Sequence, residues 1–167
     1  MKPHTLSILV ENKPGVLSRV TGLFSRRGFN IESLAVGTCE EPDMSRITIV
    51  VIGDDAKVEQ VMKQLHKLID VIKVSDLTEN ERVERELALI KVNAEPGTSR
   101  AEIMQIAQSF RAQIVDVGSK SVILQVTGDT DKVDALEKLL RQYGVKELVR
   151  TGRIGIPRGS KIVASLK

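Results

Sequence analysis

Leu9-Val10-Glu11-Asn12-Lys13-Pro14-Gly15-Val16-Leu17 is the stretch whose reading decides the fold. A strand ends near Glu11 and a helix begins. Asn12 has the side chain of an N-cap, and Pro14 suits a first helical turn, where its missing N–H is no loss. Val16, Leu17, Val20, Leu23 and Phe24 recur at helical spacing. Arg26 and Arg27 suit the negative end of the dipole, and Gly28 supplies the stop. Read this way, the N–H groups of Gly15, Val16 and Leu17 are unpaired at the positive end of a helix, where a carboxylate or phosphate is favoured. Gly15 lacks a Cβ and so permits close approach of a ligand to the backbone. A plain strand–turn–helix junction carries the same letters.

Outward from this stretch the pattern is regular. Before it, Thr5 to Val10 reads as a first strand. After it, Asn30 to Gly37 alternates as a second strand, and Glu40-Glu41-Pro42-Asp43 is a polar turn. Arg46 to Ile52 is a β-branched third strand. Gly53-Asp54 opens a second helix, with Val58, Val61, Met62, Leu65, Leu68 and Ile69 along one face, and Val71 to Val74 is a fourth strand. The order is βαββαβ.

Residues 79–85 fall in a charged stretch without apolar period and read as a linker between a first domain, 1–78, and a second, 86–167. The order then repeats. A strand contains Leu87-Ala88-Leu89-Ile90, and Ser99-Arg100-Ala101-Glu102 reads as a capping box. The helix it opens carries Ile103, Met104, Ile106, Ala107 and Phe110. Two strands flank Gly118-Ser119-Lys120. A fourth helix carries Val133, Leu136, Leu139 and Leu140, and Val145 to Arg150 is the last strand.

Letters repeat as well as periods. Gly53-Asp54-Asp55-Ala56-Lys57-Val58 parallels Gly128-Asp129-Thr130-Asp131-Lys132-Val133, and Pro14-Gly15 recurs as Pro96-Gly97. The fold expected is α+β: two tandem βαββαβ ferredoxin-like units, each an antiparallel sheet with its helices on one face. Four-stranded sheets leave edges and an uncovered face, which favours pairing with a second copy. Thr151 to Lys167 is basic, without acids, and reads as a tail or a docking arm.

Composition narrows the function. The chain has 167 residues, 41% hydrophobic and 28% charged, which fits a soluble globular protein. Its net charge of +3 is too small to imply nucleic acid. Cys39 is the single cysteine, so no intramolecular disulfide forms, and a reducing, cytoplasmic setting is expected. No stretch reads as a signal peptide or membrane span. His4 and His66 are far apart, and no zinc spacing, phosphate-binding loop, dinucleotide fingerprint or nucleophile elbow occurs. RNA-recognition domains share the topology but stack bases on sheet aromatics, which the first and third strands lack.

Val10 to Leu17, with Gly28-Phe29-Asn30-Ile31 beyond, resembles the start of an ACT domain, a small regulatory module that binds amino acids. Leu23 to Leu34, Ser45 to Val51, Arg85 to Val92 and Phe110 to Val117 are together similar to the regulatory small subunits of acetohydroxyacid (acetolactate) synthase. The resemblance implies a non-catalytic chain without cofactor. Such subunits bind a catalytic large subunit, on which thiamine diphosphate, magnesium and flavin are expected. They raise its activity and transmit feedback inhibition by a branched-chain amino acid, usually valine. It further implies a homodimer through the first domain, with the effector between Asn12, Gly15, Val16 and Leu17 of one chain and Asn30 and Ile31 of the facing chain. A free-standing amino-acid sensor acting on another enzyme is the competing reading.

Overall fold

A computed structural model describes residues 1–162. These divide into two units: Met1–Val83 together with residues 154–162, and Glu84–Arg153.

The first unit contains β1 (Lys2–Glu11), α1 (Val16–Arg26), β2 (Ile31–Thr38), β3 (Met44–Gly53), α2 (Asp55–Leu65) and β4 (Val71–Asp76). Its sheet runs β2-β3-β1-β4, with all adjacent pairs antiparallel. Both helices pack on one face. Leu6, Ile8 and Val10 of β1 and Ile47, Ile49 and Val51 of β3 alternate toward Val16, Val20 and Phe24 of α1 and Val58, Val61 and Leu65 of α2. The buried stripe of α1 is strictly i, i+4, i+8, so Leu17, a helical step away from it, is 41% exposed rather than part of the core. Ile69 lies beyond the end of α2 and is 93% exposed, because the helix stops at Leu65.

The second unit repeats this plan: β5 (Arg82–Asn93), α3 (Ser99–Ser109), β6 (Gln113–Val117), β7 (Ser121–Gly128), α4 (Thr130–Leu140), a single 3-10 turn (Arg141–Tyr143) and β8 (Val145–Arg150). The order β6-β7-β5-β8 matches that of the first sheet. Ile103 and Ala107 of α3 and Val133, Leu136 and Leu140 of α4 cover Ile90 and Val92 of β5 and Leu124 and Val126 of β7. Met104 and Leu139 stay largely exposed.

Local signals explain the helix ends. The side chains of Asp54 and Asp129 accept from the N–H groups of Lys57 and Lys132, satisfying one orphan donor in each helix. At the end of α1 the Gly28 N–H donates to the Ser25 carbonyl and the Phe29 N–H to the Phe24 carbonyl, with Gly28 at φ 73°. This is a Schellman motif, and its hydrophobic contact is the edge-on pair Phe24–Phe29, with ring centroids 6.2 Å apart.

Three expectations are corrected. Ser99 is no N-cap: α3 is preceded by Thr98, whose side chain caps nothing. The Ser99 hydroxyl instead accepts from the Glu95 N–H, and Glu102 takes the Tyr143 hydroxyl. The supposed linker is ordered, because Arg82 donates to the carbonyls of Leu77 and Thr78 at 3.0 and 2.6 Å and already begins β5. The unit boundary falls at 83/84, inside the stretch 79–85, but residues 154–162 group with the first unit instead of trailing the second. The Arg158 N–H donates to the Glu81 carbonyl, which ties that stretch down; Lys167 lies outside the described residues. Finally, the centre of the first sheet's face away from its helices is buried rather than uncovered. Thr5, Ser7, Leu9, Thr48 and Val50, which alternate away from the helices, are buried too. Covering an aliphatic side chain of this size gains about 1.5–3 kcal/mol, so a face holding Leu9 and Val50 is costly to leave wet.

Candidate functional site

The first strand-to-helix turn is held from two sides. The Glu11 N–H donates to the Asp70 carbonyl at 2.9 Å, and the Asn12 N–H to the Asp43 carbonyl at 2.8 Å. Asn12 is thus gripped by its backbone and does not cap the helix. Lys13 to Val16 forms a turn instead: the Val16 N–H reaches the Lys13 carbonyl at 3.4 Å, and Gly15 has φ 83°, ψ −11°. Those angles are the third position of a type II turn, which favours proline before glycine, so Pro14-Gly15 outcompetes the Asn12 cap. The helix begins at Val16, with the Gly15 carbonyl accepting from Arg19.

The free donors change accordingly. Among the described residues, the N–H groups of Gly15, Leu17 and Ser18 have no backbone acceptor, whereas that of Val16 is loosely tied to Lys13. The Val16 side chain is buried in the core and can offer a ligand only backbone. Asn12, Gly15 and Leu17 are exposed. The Glu11 carboxylate, 2.7 Å from Lys13, holds the lysine ammonium above its ordinary value.

Asn30 and Ile31 sit at the other end of α1. Eleven residues of helix, about 16 Å at 1.5 Å each, separate them from Gly15. Within one chain the two groups are therefore not brought together. Asn30 is exposed; its Nδ2 donates to Glu32 Oε1 at 3.0 Å, leaving Oδ1 as the end able to accept from an ammonium. Ile31 is half-buried at the start of β2. β2 is the outer strand of its sheet, and its Val36 is 48% exposed.

Two residues at the turn escaped the sequence reading. Arg19 Nε and Nη2 both donate to Asp70 Oδ2, at 3.0 and 2.5 Å. Arg19 gave a usable signal, since a cation in the first turn of a helix opposes the dipole and calls for a local reason. Asp70 gave none. A further missed residue is His4, buried between Asp76 Oδ2 at 3.3 Å and Asp55 Oδ1 at 3.2 Å. Burial works to raise the Asp76 carboxyl, but donation from the Thr78 hydroxyl and amide and from His4 outweighs it, so the group lies below its ordinary value.

The second unit's counterpart turn is different. Gly97 has φ 85°, like Gly15, yet Arg100 Nη2 donates to the carbonyls of Ala94, Gly118 and Ser119 at 3.1, 2.7 and 3.1 Å. That loop is closed by its own side chains.

Residues 6–73 match the family described as the AHAS small subunit-like ACT domain, and residues 85–159 match the small subunit of acetolactate synthase. The chain belongs to the acetolactate synthase small-subunit family. It is 63% identical to a probable acetolactate synthase small subunit of Archaeoglobus fulgidus, over 95% of this chain and 98% of that protein. It is 51% identical to the acetolactate synthase small subunit of Mycolicibacterium smegmatis, over 98% and 96%. The crystal structure of the small subunit from Thermotoga maritima, 46% identical, superposes with a TM-score of 0.87 over 96% of this chain and all of that one. The two ferredoxin-like units are thus the fold of this small-subunit family. Among the described residues, no helix is long and apolar enough to cross a membrane.

Proposed function

We propose that this chain is the regulatory subunit of a cytoplasmic acetolactate synthase. It has no catalysis and no cofactor of its own. It binds the large catalytic subunit, which carries thiamine diphosphate, magnesium and flavin, and raises its activity. It also confers feedback inhibition by valine. Membership of the small-subunit family across both units supports this over a free-standing sensor, which has no need of the second family match at residues 85–159.

The observation that carries the effector reading is the separation of the candidate residues. The turn amides of Gly15 and Leu17 and the side chain of Asn30 are exposed at opposite ends of one helix. A two-fold axis that lays two copies of α1 antiparallel beside the exposed β2 edges makes one pocket from the turn of one copy and Asn30 and Ile31 of the other. The carboxylate of valine then takes the turn amides, its ammonium takes Asn12 or Asn30 oxygen and backbone carbonyls, and Leu17 and Ile31 enclose the isopropyl group. A ligand bound between copies biases their arrangement by its differential affinity for two states.

The test is synthase activity of the catalytic subunit with and without this chain, each titrated with valine. The chain alone should turn over no pyruvate. Addition should raise activity and introduce valine inhibition. Turnover by the isolated chain, or activity indifferent to its addition, would overturn the proposal.

A further inference from the structure

Arg19 uses only part of its guanidinium on Asp70. Nε and Nη2 share Asp70 Oδ2, while Nη1 has no hydrogen-bond partner among the described residues. Nη1 lies beside the turn: a Cβ built on Gly15 would stand 3.1 Å from it. Asp70 is placed for this task. Its side chain is 17% exposed against 49% for that of Arg19, and its backbone carbonyl receives the Glu11 N–H at the foot of the same loop. One residue thereby fixes both the loop and the plane of the guanidinium. A purely structural ion pair accounts for Nε and Nη2. It leaves Nη1 unengaged, on a half-exposed cation kept in the first helical turn, against the dipole and next to the exposed residues Gly15 and Leu17.

The geometry points to Arg19 as the residue that reads the effector's α-carboxylate, with Asp70 as its positioning residue. This rests on the amino-acid-effector reading above and adds the chemistry of selection. Nη1 donates a charge-assisted hydrogen bond to the anion that the turn amides hold, so the site demands a free carboxylate and rejects the amide or ester of the same amino acid. The site thereby distinguishes an amino acid from a peptide-linked residue of the same side chain.

The experiment is calorimetric titration of the full chain with L-valine and with L-valinamide, for wild type, Arg19→Gln, Arg19→Lys and Asp70→Asn. Wild type should prefer valine. Arg19→Gln should lose about ten- to a hundredfold for valine, the weight of one hydrogen bond to a charged group, and bind valinamide unchanged. Asp70→Asn should lose part of the same discrimination, because the guanidinium is no longer held. Arg19→Lys keeps a cation without the planar fork; it reads the same quantity if the glutamine variant fails to give a native circular dichroism spectrum. Equal losses for both ligands would assign Arg19 a structural role, and unchanged valine binding would remove it from the site; either result overturns this inference alone. Absence of valine binding by the wild type would overturn the effector reading and this inference with it.

Discussion

Asp54 and Asp129 hold equivalent places in the two units: each side chain accepts from the backbone N–H three residues on, at 2.8 Å from Lys57 and 2.9 Å from Lys132. The internal repeat therefore extends to single hydrogen bonds. Asp54→Ala and Asp129→Ala should each cost about 0.5–2 kcal/mol. Because the two caps share no partner, the double variant should show the sum within about 0.5 kcal/mol. Urea denaturation of the three variants checks this, and a double-variant cost well beyond the sum would show coupling between the caps.

Gly15 and Gly97 share a left-handed backbone, at φ 83° and 85°, but only Gly15 lies at the proposed site. Gly97→Ala meets no atom within 4 Å, so its cost is strain alone, roughly 1–2 kcal/mol. Gly15→Asp carries similar strain, eased because Asp tolerates this region, and adds a carboxylate where that of valine must sit. The expected outcome is loss of stability in both and loss of valine inhibition in Gly15→Asp only, with activation of the catalytic subunit retained. Reconstituted synthase activity against rising valine is the measurement.

Asn30→His removes the amide at the far end of α1. If the pocket is shared between copies, this variant should raise the half-inhibitory valine concentration by at least about tenfold, although Asn30 is a full helix length from Gly15 in its own chain. Mixing Asn30→His with Gly15→Asp chains should restore part of the response, since a mixed dimer keeps one pocket built from two unaltered halves. No restoration, in mixtures shown to contain mixed dimers, would argue for a site within one chain.

Arg100 closes the second turn on three carbonyls, and Glu95 adds a negative charge there. Calorimetry should therefore give no valine site in the second unit, and Gly97→Ala should leave the measured stoichiometry unchanged. A second class of sites, abolished by changes at Gly97, would contradict this.

The Asp76 carboxyl lies below its ordinary value in the folded chain. A depressed carboxyl stabilises the fold above its unfolded pKa, and that contribution is lost as pH falls through the folded value. Asp76→Asn should lower the urea midpoint at neutral pH and reduce the further loss on acidification to about pH 3. Equal acid sensitivity in wild type and variant would show that the contacts of Asp76 with Thr78 and His4 carry no such stabilisation.

By itself the sequence determined what is periodic or local. Val16, Val20 and Phe24 mark the buried stripe of α1 because helical spacing needs no partner to be read. Asp54 and Asp129 cap helices by bonds three residues long, and Gly28 ends α1 within its own turn. The repeat of those signals gave the two ferredoxin-like units. Where local preferences compete, the letters were ambiguous: Asn12 and Ser99 look like caps, but a Pro14-Gly15 turn and a Glu95 N–H took their places. Only the tertiary structure decided which residues meet across long separations. Asp70 reaches Arg19 across 51 positions, His4 reaches Asp76 across 72, and residues 154–162 return to the first unit. Such contacts follow from strand order and register, which bring together side chains whose own neighbours carry no trace of the pairing.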